Sequence, residues 1–194
     1  MLPTFVFGWP TGEEQGDYMA VDLGGTNLRV CHVVLKGEGK FEMTQTKFRL
    51  TDEQKQEDAQ TLFDWCASCL KTFLTDHYAP EGSDGPLLEE EVALGWTFSY
   101  PTKQERIVSR ECPKLLRMLL TQAQQDHGVL VRWTKGFGNP GAEGNDCAAM
   151  FRKALEKENV PIKMTSMIND TTGTLIASNC GSPRASSWTR RNAD

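Results

Sequence analysis

The chain has 194 residues, enough for one domain with attachments, and its 39% hydrophobic and 24% charged content is ordinary for a soluble globular protein. A net charge of −5 with scattered basic residues argues against nucleic acid as a partner, because tracking a phosphate backbone needs a basic face. No apolar run approaches the roughly 20 residues that cross a bilayer, and no basic-then-apolar export signal opens the chain, so a membrane span is excluded and a cytoplasmic location expected. Residues 1–17 include Pro3, Gly8, Pro10, Gly12 and Gly16 and read as an extended lead-in. Strands follow at Tyr18 to Leu23 and Leu28 to Leu35, and a third, Phe41 to Arg49, comes after the Gly37-Glu38-Gly39-Lys40 turn. Short turns between consecutive strands make an antiparallel meander.

Between Asp58 and Tyr78 the period changes, with Leu62, Cys66, Cys69, Leu70 and Phe73 at helical spacing, so a helix is predicted that ends before Pro80. Val92 to Tyr100 is a nearly unbroken apolar strand, the pattern of one covered on both faces, and Pro101 ends it. Cys147, Met150, Phe151 and Leu155 place a second helix between Gly144 and Asn159. Ile162 to Ile168 reads as a strand, and Thr171 to Ser178 as a helix opening from its end, with Asn169 or Asp170 as cap. The expected fold class is α/β: one mixed sheet, an antiparallel three-strand meander followed by α/β crossovers. Six cysteines show no framework spacing, and Cys66 and Cys69 lie at i and i+3 of a helix, so reduced, core-packed thiols are expected. His32, His77 and His127 share no ligand spacing.

The turn Asp22-Leu23-Gly24-Gly25-Thr26-Asn27 joins the first two strands. Adjacent glycines permit positive φ and close approach of a ligand to the backbone, and Thr26 and Asn27 add short donors, so the turn suits phosphate oxygens. Asp22 would repel a bare phosphate unless a divalent cation lay between them. An ordinary glycine turn closed by an Asx residue has the same letters. Open α/β sheets bind ligands beyond the carboxyl ends of their strands, where Ser99, Thr134, Lys135, Asn169 and Asp170 are also expected. Singly, Ser99 is a strand-end hydroxyl, Lys135 a solvated charge, and Asn169 and Asp170 serve as well for capping as for chemistry. Together they suit a polyhydroxylated substrate beside a polyphosphate, with Asp170 as the base that takes a hydroxyl proton.

These residues resemble the eukaryotic hexokinase and glucokinase family, of fungal type. The resemblance rests on Val21 to Val30, Leu94-Gly95-Trp96-Thr97-Phe98-Ser99-Tyr100-Pro101, Trp133-Thr134-Lys135-Gly136-Phe137 and Ile168-Asn169-Asp170-Thr171-Thr172-Gly173-Thr174, all in family order. It implies a ribonuclease H-like, actin-like fold and ATP-dependent phosphorylation of a hexose, glucose above all, at its 6-hydroxyl, the first step of glycolysis. It also implies that Asp22, Gly24, Gly25, Thr26, Asn27, Arg29 and Thr172 meet ATP, with Asp22 an indirect ligand of Mg2+. Ser99, Pro101, Thr134, Lys135 and Asn169 would bind the sugar, and Asp170 would be the catalytic base. Two departures stand out. Residues 108–125 look like an insertion, with the Val108-Ser109 junction of a translated intron, and residues 180–194 turn basic and serine-rich like a disordered or frame-shifted tail. Residues 18–179 then correspond to the family's small domain, and its large domain would be the natural packing partner. The other reading is a catalytically silent hexokinase-like fragment or binding protein.

Overall fold

Strands in which every second residue is apolar need a cover on one face, and the two amphipathic helices provide it. A computed structural model of the chain describes residues 10–78, 91–104 and 127–178. Strands β1 (Gln15–Leu23), β2 (Asn27–Lys36) and β3 (Phe41–Arg49) form the antiparallel meander. β1 begins upstream of Tyr18, because Gln15 and Gly16 pair with Lys36 and Leu35 at the far end of β2. Helix α1 (Ala59–Tyr78) carries the chain back to β4 (Val92–Phe98), which pairs in parallel with β1. A small antiparallel pair, β5 (Thr102–Lys103) with β6 (Val129–Leu130), follows, and then helix α2 (Cys147–Lys157). Strand β7 (Ile162–Ile168) pairs in parallel with β4, and helix α3 (Asp170–Ala177) leaves its end. The sheet order is β3-β2-β1-β4-β7, the mixed α/β sheet that the pattern predicts.

One cluster fills the core. Val21, Leu23, Leu28, Val30, Leu94, Trp96, Phe98, Met164 and Met167 come from the strands, and Phe63, Leu70, Phe73, Phe151 and Leu155 from α1 and α2. Trp96 is 1% exposed, edge-on to Phe63 at 5.7 Å between centroids and 4.8 Å from Phe151, so it joins both helices to the sheet. Burial of one such side chain stabilises the fold by roughly 1.5–3 kcal/mol. Cys66, Cys69 and Cys147 lie in this cluster, and burial pushes the Cys69 and Cys147 thiols up to about 12, so they stay protonated.

Three sequence expectations shift in detail. β4 stops at Phe98, which releases Ser99 and Tyr100 from the ladder, and Ala93, Gly95 and Thr97 on its second face are only half-buried. α2 starts at Cys147 because the Asp146 carboxylate accepts from the Ala148 amide at 3.0 Å and caps it there. The third is a bulge. Leu94 pairs with Met164 but Gly95 pairs with Ser166, so Thr165 is an extra residue and the apolar alternation of β7 slips from Met164 to Met167. The expected insertion at 108–125 and tail at 180–194 lie outside the described residues, and no helix among those described is long and apolar enough to cross a membrane.

Candidate functional site

Parallel pairing places three strand ends on one edge. Leu23 of β1 is level with Phe98 of β4, and Thr97 of β4 with Ile168 of β7, so Gly24, Ser99 and Asn169 all emerge together. The Asp22–Asn27 turn is closed by the Gly24 amide on the Asn27 carbonyl at 3.0 Å and held from outside by the Leu50 amide on the Thr26 carbonyl at 3.0 Å. Its glycines serve close approach, not left-handed backbone: neither Gly24 nor Gly25 has positive φ. A Cβ on Gly24 would lie 3.3 Å from the Asn27 carbonyl oxygen, and one on Gly25 3.4 Å from Cβ of Lys135. Asp22 and Arg29 face each other across β1 and β2 with an ion pair of 2.8 Å. Both side chains are partly solvated, so water screens the pair to about 0–1 kcal/mol and leaves either group free to turn to a ligand.

Lys135 reaches this turn from a loop that the fold holds tightly. Lys135 (φ 58°) and Gly136 (φ 81°) are the central residues of a mirror-image turn closed by the Phe137 amide on the Thr134 carbonyl at 3.2 Å. A left-handed backbone at a lysine costs roughly 1–2 kcal/mol, so the surroundings must impose it. Trp133 stacks on Phe137 at 5.2 Å, and Tyr100 meets both, at 5.0 and 5.3 Å. Through Phe98 and Trp96 this aromatic series runs unbroken into the core. The segment before α1 holds the other side. Asn139, 1% exposed, donates from Nδ2 to the Gln54 and Glu57 carbonyls at 2.8 Å each and accepts from Trp133 Nε1 on its own carbonyl at 2.8 Å. The Gly138 amide reaches the Lys55 carbonyl at 2.8 Å, and Gln56 Nε2 the Gly136 carbonyl at 3.0 Å. Asn139, Tyr100 and Gln56 are site-supporting residues that sequence reasoning missed; the cue was the polar Asn139 beside apolar Phe137, but its partners lie in a distant segment.

Asp170 opens α3, and the choice between Asn169 and Asp170 as cap resolves to Asn169, with Asp170 the first helical residue beside it. The Thr171 amide donates to Asn169 Oδ1 at 3.0 Å and to Asp170 Oδ1 at 2.7 Å. Partial burial raises the Asp170 carboxyl, but the Thr171 amide, the Ser99 hydroxyl and the Lys135 charge outweigh it, and its pKa lies below the usual aspartate value. Asp170 borders an open depression with Thr171, Thr174, Leu175 and Ser178. The fold thus brings together the Asp22–Asn27 turn, Ser99, Lys135, Asn169 and Asp170. Thr134 is half-buried at the start of the Lys135 turn, Thr172 is half-buried on α3, and Pro101 is half-buried after Tyr100, its carbonyl taken by the Val131 amide at 2.9 Å. Among the described residues no three His, Cys, Asp or Glu side chains converge to hold a metal. One partly solvated carboxylate beside a turn rich in backbone donors still fits magnesium, which keeps its waters and binds through one or two carboxylates plus phosphate oxygens.

A family model described as Hexokinase matches residues 1–112 and 119–180. The hexokinase of Kluyveromyces lactis is 44% identical over 178 residues, covering 92% of this chain and 32% of that protein. Hexokinase-2 of Candida albicans is 43% identical over 185 residues, covering 95% and 33%. The structure of a hexokinase from Schistosoma mansoni complexed with glucose superposes with a TM-score of 0.76 at 31% identity, covering 94% of this chain and 35% of that one. The chain therefore spans about a third of the length of the relatives it matches.

Proposed function

Because the chain belongs to the hexokinase family, we propose that its site serves the ATP-dependent phosphorylation of a hexose at the 6-hydroxyl, glucose first among candidates. The observation that carries this reading is Asp170 at the first residue of α3, its carboxylate on the Thr171 amide at 2.7 Å, on the same edge as a lysine that leans on the phosphate-type turn. A sugar hydroxyl within reach of Asp170 would be oriented by the carboxylate and give up its proton as its oxygen attacks phosphorus. Because the carboxyl is more acidic than usual, it stays ionised at neutral pH and is a weak base, suited to accepting a proton late in the transfer. Asn169 uses Oδ1 on the Thr171 amide, which leaves its NH2 group to donate to a sugar oxygen. Ser99, Thr134, Lys135 and Pro101 complete the sugar side. Gly24, Gly25, Thr26 and Asn27, with Arg29 and Thr172, form the phosphate side, and Asp22 would hold magnesium through water. The bound ion would neutralise charge on the transferring phosphate.

The glucose in the Schistosoma mansoni structure supports glucose as the sugar here. The remaining two thirds of a hexokinase would supply the rest of the nucleotide pocket and a second domain to close over α3. A cytoplasmic location, where ATP and sugar meet, fits the reading. The second reading is a hexokinase-like chain that binds sugar without turning it over. A coupled glucose-phosphorylation assay and a calorimetric glucose titration on the purified chain separate them. Turnover that Asp170→Asn abolishes supports the enzyme; glucose binding that Lys135→Ala abolishes, without turnover, supports the silent chain. Absence of both would sink each reading for this chain.

A further inference from the structure

Tyr100 touches both halves of the site. It is 3% exposed, wedged against Phe98 at 4.8 Å, Trp133 at 5.0 Å and Phe137 at 5.3 Å, so its ring cannot swing away without opening the aromatic series. Its hydroxyl donates to the Gly24 carbonyl at 3.1 Å. A trans peptide is planar, with its carbonyl and amide pointing in opposite directions. Fixing the Gly24 carbonyl inward on Tyr100 therefore aims the Gly25 N–H outward, away from the aromatic cluster. Among the described residues no hydrogen bond takes up that N–H, so it is a donor presented to a ligand. On the other side, the Lys135 ammonium lies 5.1 Å from the Tyr100 ring centroid, and the lysine stem passes Gly25 at a distance where an added Cβ would touch it.

We propose that Tyr100 is a positioning residue that couples the phosphate turn to the sugar loop, its hydroxyl aiming the Gly25 amide and its ring holding the Lys135 ammonium. The proposal rests on the reading above, in which that turn takes phosphate and Lys135 takes sugar. The two roles belong to different atoms of one side chain and separate by substitution. Phenylalanine keeps the ring and loses the hydroxyl; leucine loses both.

The test is 15N NMR of the chain in its wild-type, Tyr100→Phe and Tyr100→Leu forms, followed by titration with glucose and with magnesium tripolyphosphate. In the free protein, Tyr100→Phe is expected to move the Gly25 amide resonance and speed its exchange while the ring-current shift of the Lys135 methylenes persists. Tyr100→Leu removes that shift as well. Loss of one neutral hydrogen bond should weaken tripolyphosphate about fivefold in Tyr100→Phe with glucose affinity unchanged, whereas Tyr100→Leu weakens both. An unmoved Gly25 amide in Tyr100→Phe, or an equal loss of both ligands in that variant, overturns the proposal. If the wild-type chain binds neither ligand, the functional reading falls, and the free-protein resonances of Gly25 and Lys135 alone decide whether Tyr100 positions them.

Discussion

Helices α1 and α3 are held in opposite ways. Nine of the 20 residues of α1 are buried, whereas none of the eight in α3 is, and Leu175 on α3 is 56% exposed. The position of α1 follows from packing, since moving it would expose Phe63, Leu70 and Phe73 at once. α3 has no such anchor among the described residues. It is fixed at its start, where the Thr171 amide donates to the Asn169 cap and to Asp170. The element with the least burial carries the candidate base. Precision at Asp170 comes from the strand ends beneath it, and the Thr165 bulge sets which way the last residues of β7 face.

Variants can break that contrast, and the largest effect belongs to the packed side. Trp96→Ala removes the ring between α1 and α2 and should cost about 3–5 kcal/mol in chemical denaturation. On the other side, Asp170→Asn should lower turnover about 10²–10⁴-fold in a full-length hexokinase carrying this sequence, with an unchanged denaturation midpoint. A midpoint that falls with it would show that Asp170 stabilises the fold and does not only serve chemistry. Asn139→Ala strips the donor shared by the Gln54 and Glu57 carbonyls, and a loss of about 1–3 kcal/mol is expected, read as a lower denaturation midpoint together with faster amide exchange at Gly136 and Phe137.

The pH dependence sharpens the comparison further. A carboxyl whose folded pKa is lowered adds stability above its unfolded value, and that stability disappears as pH falls through the lower folded value. Ser99→Ala removes one donor to the charged form, so the Asp170 titration midpoint followed by carboxyl 13C shift should rise toward the ordinary aspartate value. A midpoint that stays put would remove Ser99 from the account of Asp170. The smallest effect is expected at Leu175→Ser, within about 0.5 kcal/mol of wild type by denaturation, because that side chain already meets solvent.

The meander and the helices were legible from contiguous residues, because period, caps and turn chemistry are local properties. Tyr18 to Val34 is rich in strand-forming residues and is punctuated by Gly24-Gly25, which specifies two paired strands with a tight turn. The motifs at Ser99, Lys135 and Asp170 were legible for the same reason, and the family with them. What held those motifs together was not. Asn139 binds carbonyls 85 and 82 positions away, and Tyr100 reaches Gly24 across 76, separations at which no sequence spacing carries a signal. The Thr165 bulge likewise depends on how β7 meets β4, and the left-handed Lys135 on an aromatic cluster assembled from two distant segments. Composition and order thus suffice for the elements and the family. Their aim is set by long-range hydrogen bonds and packing that exist only once the sheet has formed.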